Sequence, residues 1–223
     1  MKMNYEGHKP LELLPGTITV LGTNNRSVYS DVILGLQGFN DKISFFDDDY
    51  QRIDISKAMD WDGDIIDSQN LMSKYNTELI NALVSSITDE QRNKINKCEN
   101  DLYTAIQDAM LYMDLPLEVS YDGDLKKVFK NSKIHLAPSI CMNPYVIIET
   151  DFKLHKECND TSCIGLSNVA NYLSQDQLQE VVKLNAELKT SALIIEFIKL
   201  EDLNFYKNCN CYYIDEDFVD WQP

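Results

Sequence analysis

Apolar and polar positions change their rhythm twice along the chain. In the first third, Thr17-Ile18-Thr19-Val20-Leu21-Gly22 is a short β-branched run behind the turn pair Pro15-Gly16. Residues 27–36 follow with Val28, Val32 and Leu36 at helical spacing, and Gly35 and Gly38 near the end. Ile43-Ser44-Phe45-Phe46 is a second apolar run. Strand, helix and strand in about thirty residues predict a parallel βαβ unit. Residues 47–67 read as a polar bridge: from 41 to 67 the chain has nine acids and three bases.

The rhythm then becomes helical. Residues 68–87 place Leu71, Met72, Tyr75, Leu79, Leu83 and Ile87 at steps of one, three or four. Thr88, with Gln91 three residues later, has the form of a capping box and opens a helix expected over 91–113. Two such helices joined by a tight turn predict an antiparallel hairpin. A shorter helix is expected over 122–131, after the break at Pro116.

The last third returns to α/β. A helix is expected over 142–157, starting near Pro144, and a strand over 162–167. A helix over 174–188 has Ser174 and Gln177 as a second capping box. Residues 191–197 read as a buried strand. Residues 211–214 read as the final strand before the acidic tail Asp215-Glu216-Asp217. The prediction is an α/β head from 1–60 plus 140–223, with a helical leg from 61–139 inserted into it.

Composition adds constraints. The 223 residues are 44% hydrophobic and 25% charged, which is globular and excludes a wholly disordered chain. Net charge is −16, hostile on average to nucleic acid and anionic membrane. No apolar run is long enough to cross a bilayer and the first residues have no apolar signal region, so a soluble cytoplasmic protein is expected. The six cysteines are then expected as reduced thiols.

The first strand-to-helix loop, Gly22-Thr23-Asn24-Asn25-Arg26-Ser27, sits where a phosphate loop belongs. Arg26-Ser27 takes the Lys-Ser place, Asn25 the place of the second glycine and Val20 that of the first. Arg cannot fold into such a loop as Lys does. The second strand of the site ends in Ser167-Asn168, without the aspartate that handles Mg²⁺. A nucleotide-binding topology without nucleotide chemistry is expected.

The three histidines, His8, His135 and His155, fall in no metalloprotease or hydrolase motif. His155, Cys158 and Cys163, and the pair Cys209 and Cys211, are spaced too loosely for a zinc site and read as core or surface groups. The acidic run 60–67 fails as an EF-hand, with Gly in the fourth place and Leu71 in the twelfth, and reads as a solvated linker. Glu118, Asp122 and Asp124 are tighter, at a turn entering a helix, and suit a hard cation such as calcium. Scarce basic residues cluster in the leg. Lys126, Lys127, Lys130 and Lys133 are four of twenty, and 126, 130 and 133 are spaced to share a helix face. Arg92, Lys94 and Lys97 begin the second long helix. Such stripes are usually solvated faces; an oligomer turning them inward would concentrate positive potential.

Several segments together resemble one family, the small type II-A CRISPR adaptation proteins (Csn-two). They are Leu11-Glu12-Leu13-Leu14-Pro15-Gly16-Thr17-Ile18-Thr19-Val20-Leu21, Ile43-Ser44-Phe45-Phe46-Asp47 and Asp114-Leu115-Pro116-Leu117-Glu118. Leu166-Ser167-Asn168-Val169 with Tyr172-Leu173-Ser174, and Leu193-Ile194-Ile195-Glu196 with Ile214-Asp215-Glu216-Asp217-Phe218, continue the likeness to the C-terminus. The resemblance implies a degenerate P-loop-like α/β head with a helical leg, a ring-shaped homotetramer around linear double-stranded DNA, and no catalysis. It implies calcium supporting the ring, carried here onto Glu118, Asp122 and Asp124. It also implies a role in antiviral spacer acquisition beside the CRISPR integrase pair and effector nuclease. Lys126 and Lys127 stand where family members carry further acid. Four chains would sum to −64, so DNA would have to be met by an inner face. Two other classes remain open from sequence: an ATPase-like nucleotide binder using 22–27, and a DNA-indifferent acidic scaffold for adaptation proteins.

Overall fold

The apolar runs at 18–23, 163–167 and 191–197 form the central strands of the first unit. A computed structural model describes residues 1–66 and 71–222, without the side chains of 71–73 and 141. The chain lays down β1 (Lys2–Tyr5), β2 (Leu11–Glu12), β3 (Ile18–Thr23), α1 (Arg26–Leu36), β4 (Ile43–Phe46), β5 (Arg52–Ile53), α2 (Ile55–Ala58) and β6 (Met59–Asp64). The helices α3 (Leu71–Ser86), α4 (Asp89–Met110) and α5 (Leu125–Asn131) follow. Then come α6 (Pro144–Glu157), β7 (Cys163–Ser167), α7 (Gln175–Leu188), β8 (Ser191–Phe197), β9 (Asn210–Ile214) and β10 (Asp220–Trp221). Two compact units result: residues 1–71 with 137–223, and residues 72–136. The molecule is mixed α/β, as expected.

In the first unit a six-stranded sheet runs in the order β10-β9-β3-β8-β7-β6. β9, β3, β8, β7 and β6 are parallel, and β10 closes the edge antiparallel. Helices lie over this sheet, so its central strands are apolar on both faces and read as unbroken runs. Every residue of β3 and β7 is buried. Leu21, Leu193 and Ile195 meet Val28, Val32 and Leu36 of α1 on one face. Val20, Ile164 and Ile194 alternate to the other face. The helices α6 and α7 pack on each other and bury Ile148, Phe152, Leu178 and Val181.

The parallel βαβ unit predicted at the start is not formed. β4 pairs antiparallel with β1, in a second sheet of order β2-β1-β4-β5. The burial of β4 shows why, since only Ile43 and Phe45 point inward. Such alternation belongs to a sheet with one wet face. Met3, Tyr5, Ile43 and Phe45 turn that sheet's inner face onto the α1 core.

The expected polar bridge also contains structure: β5, α2 and β6. β6 is the edge strand of the large sheet, and its acids Asp60, Asp62 and Asp64 alternate with Met59, Trp61 and Gly63. The linker reading of 60–66 is therefore wrong, and Asp67 lies outside the described residues. Charge density hid a strand whose partner, β7, is about a hundred residues away. Nor is residue 214 the end of the sheet, because Asp215 turns the chain into β10. Its carboxylate accepts from the amides of Asp217 and Val219 (2.9 Å each) and from the Trp221 indole (2.8 Å).

In the second unit the expected start of α3 at 68 and the side chains of Leu71 and Met72 fall outside the described residues. α4 opens with the predicted capping box: the Gln91 amide donates to Thr88 Oγ1 at 3.2 Å, and the Thr88 amide to Gln91 Oε1 at 2.8 Å. α4 ends at Met110, short of the expected 113, and buries none of its side chains. Ser174 and Gln177 form the other predicted capping box, opening α7.

Candidate nucleic-acid interface

Open parallel sheets bind ligands at the carboxyl ends of their strands, where the order reverses. Here that place lies beyond β3, flanked by β8 and β9. Only Asn24 and Asn25 separate β3 from α1. Two residues cannot wrap a phosphate as a glycine-rich loop does. Asn25 Oδ1 accepts from the amides of Ser27 (2.9 Å) and Val28 (3.3 Å), satisfying the first turn of α1. Asn24 and Asn25 donate to the side chain and carbonyl of Glu216 at 2.9 and 3.2 Å.

The neighbouring strand ends are equally occupied. Asn168, left-handed at φ 59°, donates to Asp64 at 3.1 Å and accepts from Tyr29 at 3.0 Å. Tyr172 donates to the same Asp64 oxygen at 3.0 Å. Glu196, 2% exposed at the end of β8, accepts from the Ala170 amide at 3.1 Å and from the Tyr206 hydroxyl. Burial pushes its pKa up, and the Tyr206 bond opposes that shift. These polar groups engage one another at the carboxyl ends of the strands.

Charge divides unevenly along the chain. Residues 72–136 carry eight Lys/Arg and ten Asp/Glu, net −2; the rest carries twelve and twenty-six, net −14. All seven basic residues expected at DNA lie in the helical unit. Lys94 and Lys97 are exposed three residues apart on α4, and Lys126 and Lys130 are exposed four apart on α5. Among the described residues none of these four makes an ion pair. Three of the seven differ. Arg92 donates to the Val84 carbonyl at 3.3 Å, tying α4 to α3. Lys127 is ion-paired with Asp122. Lys133 lies beyond the end of α5 with φ 50°, so it does not share the face of 126 and 130. A seven-residue helix ends before the stripe can extend that far.

The acids expected to hold calcium have local work. Asp122 accepts from Lys127 and from the Asp124 amide (3.1 Å), and the Lys127 bond leads in lowering its pKa. Asp124 caps α5 by accepting from the Lys126 amide at 3.0 Å. Glu118 lies exposed on the segment before them. Among the described residues, the sets of three or more His, Cys, Asp or Glu whose ligand atoms lie within 4.8 Å are Asp60–His155–Asp160 and Asp60–Asp62–Asp151. Glu118, Asp122 and Asp124 are in neither set.

The weaker candidates fall out similarly. His8 stacks on Tyr5 and bonds Asp220 at 2.8 Å, and His135 donates to the Lys133 carbonyl at 2.9 Å. Cys98, Cys163, Cys209 and Cys211 are free thiols, and Cys141 lies outside the described side chains. Burial pushes Cys163 and Cys209 up to about 12. Sequence reasoning missed the grouping around Asp60 and His155, which no local spacing announces.

The chain combines a mostly parallel sheet, whose first strand-to-helix link is only two residues long, with a helical unit in which basic residues are concentrated. Residues 38–218 match the family model described as CRISPR-associated protein (Cas_Csn2), and the chain belongs to that family. No curated protein matches it. Among solved structures, Stu0660 of Streptococcus thermophilus is similar over 100% of this chain and 76% of that one, at 13% identity and a TM-score of 0.56. An ATP-binding cassette of an ABC transporter, MJ1267 in its ADP conformation, is similar over 100% of this chain and 90% of that one, at 11% identity and a TM-score of 0.45. Among the described residues no helix is long and apolar enough to cross a membrane.

Proposed function

We propose that the protein is a non-enzymatic, sequence-independent binder of double-stranded DNA ends that acts in CRISPR spacer acquisition. It works as a ring-shaped homotetramer whose helical units face the duplex, beside the integrase pair and the effector nuclease. The observation that carries this reading is the charge division within a Cas_Csn2 chain. The acidic excess sits in the α/β unit, and Lys94, Lys97, Lys126 and Lys130 stand exposed on the helical one with no ion pair among the described residues. Phosphate contacts carry no sequence information, so such a surface holds duplex through its backbone and in a salt-sensitive way. The two-residue link after β3 supports the absence of nucleotide chemistry.

The test is a gel shift with linear and closed circular duplex of one sequence. Binding is expected for the linear form only, and equal or absent binding to both rejects the reading. Reversing Lys94, Lys97, Lys126 and Lys130 to Glu is expected to weaken binding and flatten its salt slope. The expected flattening is up to about 0.9 for each phosphate that is no longer neutralised. An unchanged slope removes those residues from the interface.

A further inference from the structure

The amino end of the large sheet brings together polar groups that the DNA reading does not use. β6 starts beside β7, with Asp60 opposite Ile164. α6 ends at Glu157, and a short turn leads into β7. This geometry puts His155 of α6, Asp160 of the turn and Asp60 of β6 side by side. His155 Nε2 lies 2.9 Å from Asp60 Oδ2, and one ligand atom from each of the three falls within 4.8 Å of the others. His155 is wholly buried, Asp60 is half-buried, and Asp160 is exposed. The backbone holds Asp160 in place, since its carboxylate accepts from the Ser162 amide at 2.9 Å.

Three features set this group apart from an ordinary ion pair. Its donors are mixed, one imidazole nitrogen and two carboxylates, a set that suits Zn²⁺ or Mn²⁺ better than an all-oxygen ion such as Ca²⁺. Zinc bonds of 2.0–2.1 Å put tetrahedral donors about 3.3 Å apart, between the observed 2.9 Å contact and the 4.8 Å limit. The group also opens on one side into a cleft of about 240 Å³ lined by His155, Asp160, Ser162, Lys189 and Thr190. Water can therefore complete the coordination. The charge balance points the same way. Two carboxylates, Asp60 and Asp160, stand against one imidazole, and Asp60 is also shared with a second convergent set containing Asp62 and Asp151. The lysines of the cleft, Lys156 and Lys189, make no ion pair among the described residues.

We propose that His155, Asp60 and Asp160 bind a divalent first-row transition cation, with Zn²⁺ as its probe. The ion clips β6 to the α6–β7 turn across 95 residues of chain, a span containing the whole helical unit. The proposal is independent of DNA binding.

The test titrates the full-length chain with Zn²⁺ against a chromophoric chelator, with Co²⁺ absorption reporting donor geometry. One high-affinity ion per chain is expected. Asp160→Asn keeps the bond to the Ser162 amide, and His155→Gln removes the imidazole. Each is expected to weaken binding by more than the roughly 10–100-fold that loss of an outer-shell partner causes. Circular dichroism reports whether His155→Gln folds; Asp160 is exposed, so its variant decides the matter if His155→Gln does not. No stoichiometric binding overturns the proposal. So does unchanged affinity in Asp160→Asn. Ca²⁺ bound as tightly as Zn²⁺ overturns the choice of metal class.

Discussion

Glu196 lies near the carboxyl end of the central strand β8, the side on which open parallel sheets bind ligands. Here it is sealed in by Tyr206 and the Ala170 amide, and burial raises its pKa. As pH rises above the ordinary carboxylate range, the unfolded chain releases this proton before the folded one does. The folded state then holds the extra proton, so stability falls as pH rises through that window. Glu196→Gln keeps both hydrogen bonds through its amide oxygen and removes the charge. In denaturant titrations across pH, the stability of the wild type relative to this variant is expected to decline from the ordinary Glu range upward; a flat difference would refute it. Lys127 and Asp122 show the opposite sign at the surface, where pairing lowers the acid and raises the base. The sequence read the two as separate candidates, one for DNA and one for calcium. Their spacing of five residues allows contact, but spacing does not show which interaction each one makes.

Elements were readable where the signal was local. Both capping boxes, the apolar run of β8 and the Pro144 start of α6 stand in the structure as their sequence patterns predict. Elements were misread where a strand takes its character from a distant neighbour. β6 exists because β7 pairs with it, and the two strands approach closely: a Cβ on Gly165 would lie 2.5 Å from Trp61 Cε3 and 2.7 Å from Met59 Sδ. Gly165→Ala is therefore expected to destabilise the fold by about 1–3 kcal/mol, with a lower Tm by calorimetry. A neutral effect would mean that β6 can shift at no cost. The same close approach binds α1 to the second sheet, where a Cβ on Gly35 would meet Ile43 Cγ1 at 2.5 Å.

At the level of the molecule, net charge of −16 and a DNA-binding role conflict only while the charge is averaged. Divided between the units, it leaves 65 residues near neutrality with their exposed lysines in short clusters. A single copy offers few phosphate contacts, so the reading requires several copies around one duplex. Sedimentation at micromolar concentration is expected to give the mass of four chains, and a monomer would remove the ring from the account. From sequence, the alternation of α/β and helical segments, the eroded phosphate loop and the confinement of basic clusters to the middle of the chain were already plain. Each is carried by residues close together in the chain, through periodicity, turn chemistry or simple count. The second sheet, the edge strand β6, the sealing of the strand ends and the meeting of Asp60 with His155 and Asp160 became visible only with the folded chain. They depend mainly on distant pairs, such as β1 with β4, Tyr29 with Asn168 (139 residues apart) and Asn24 with Glu216 (192 apart), and no local pattern records which distant partner a side chain will meet.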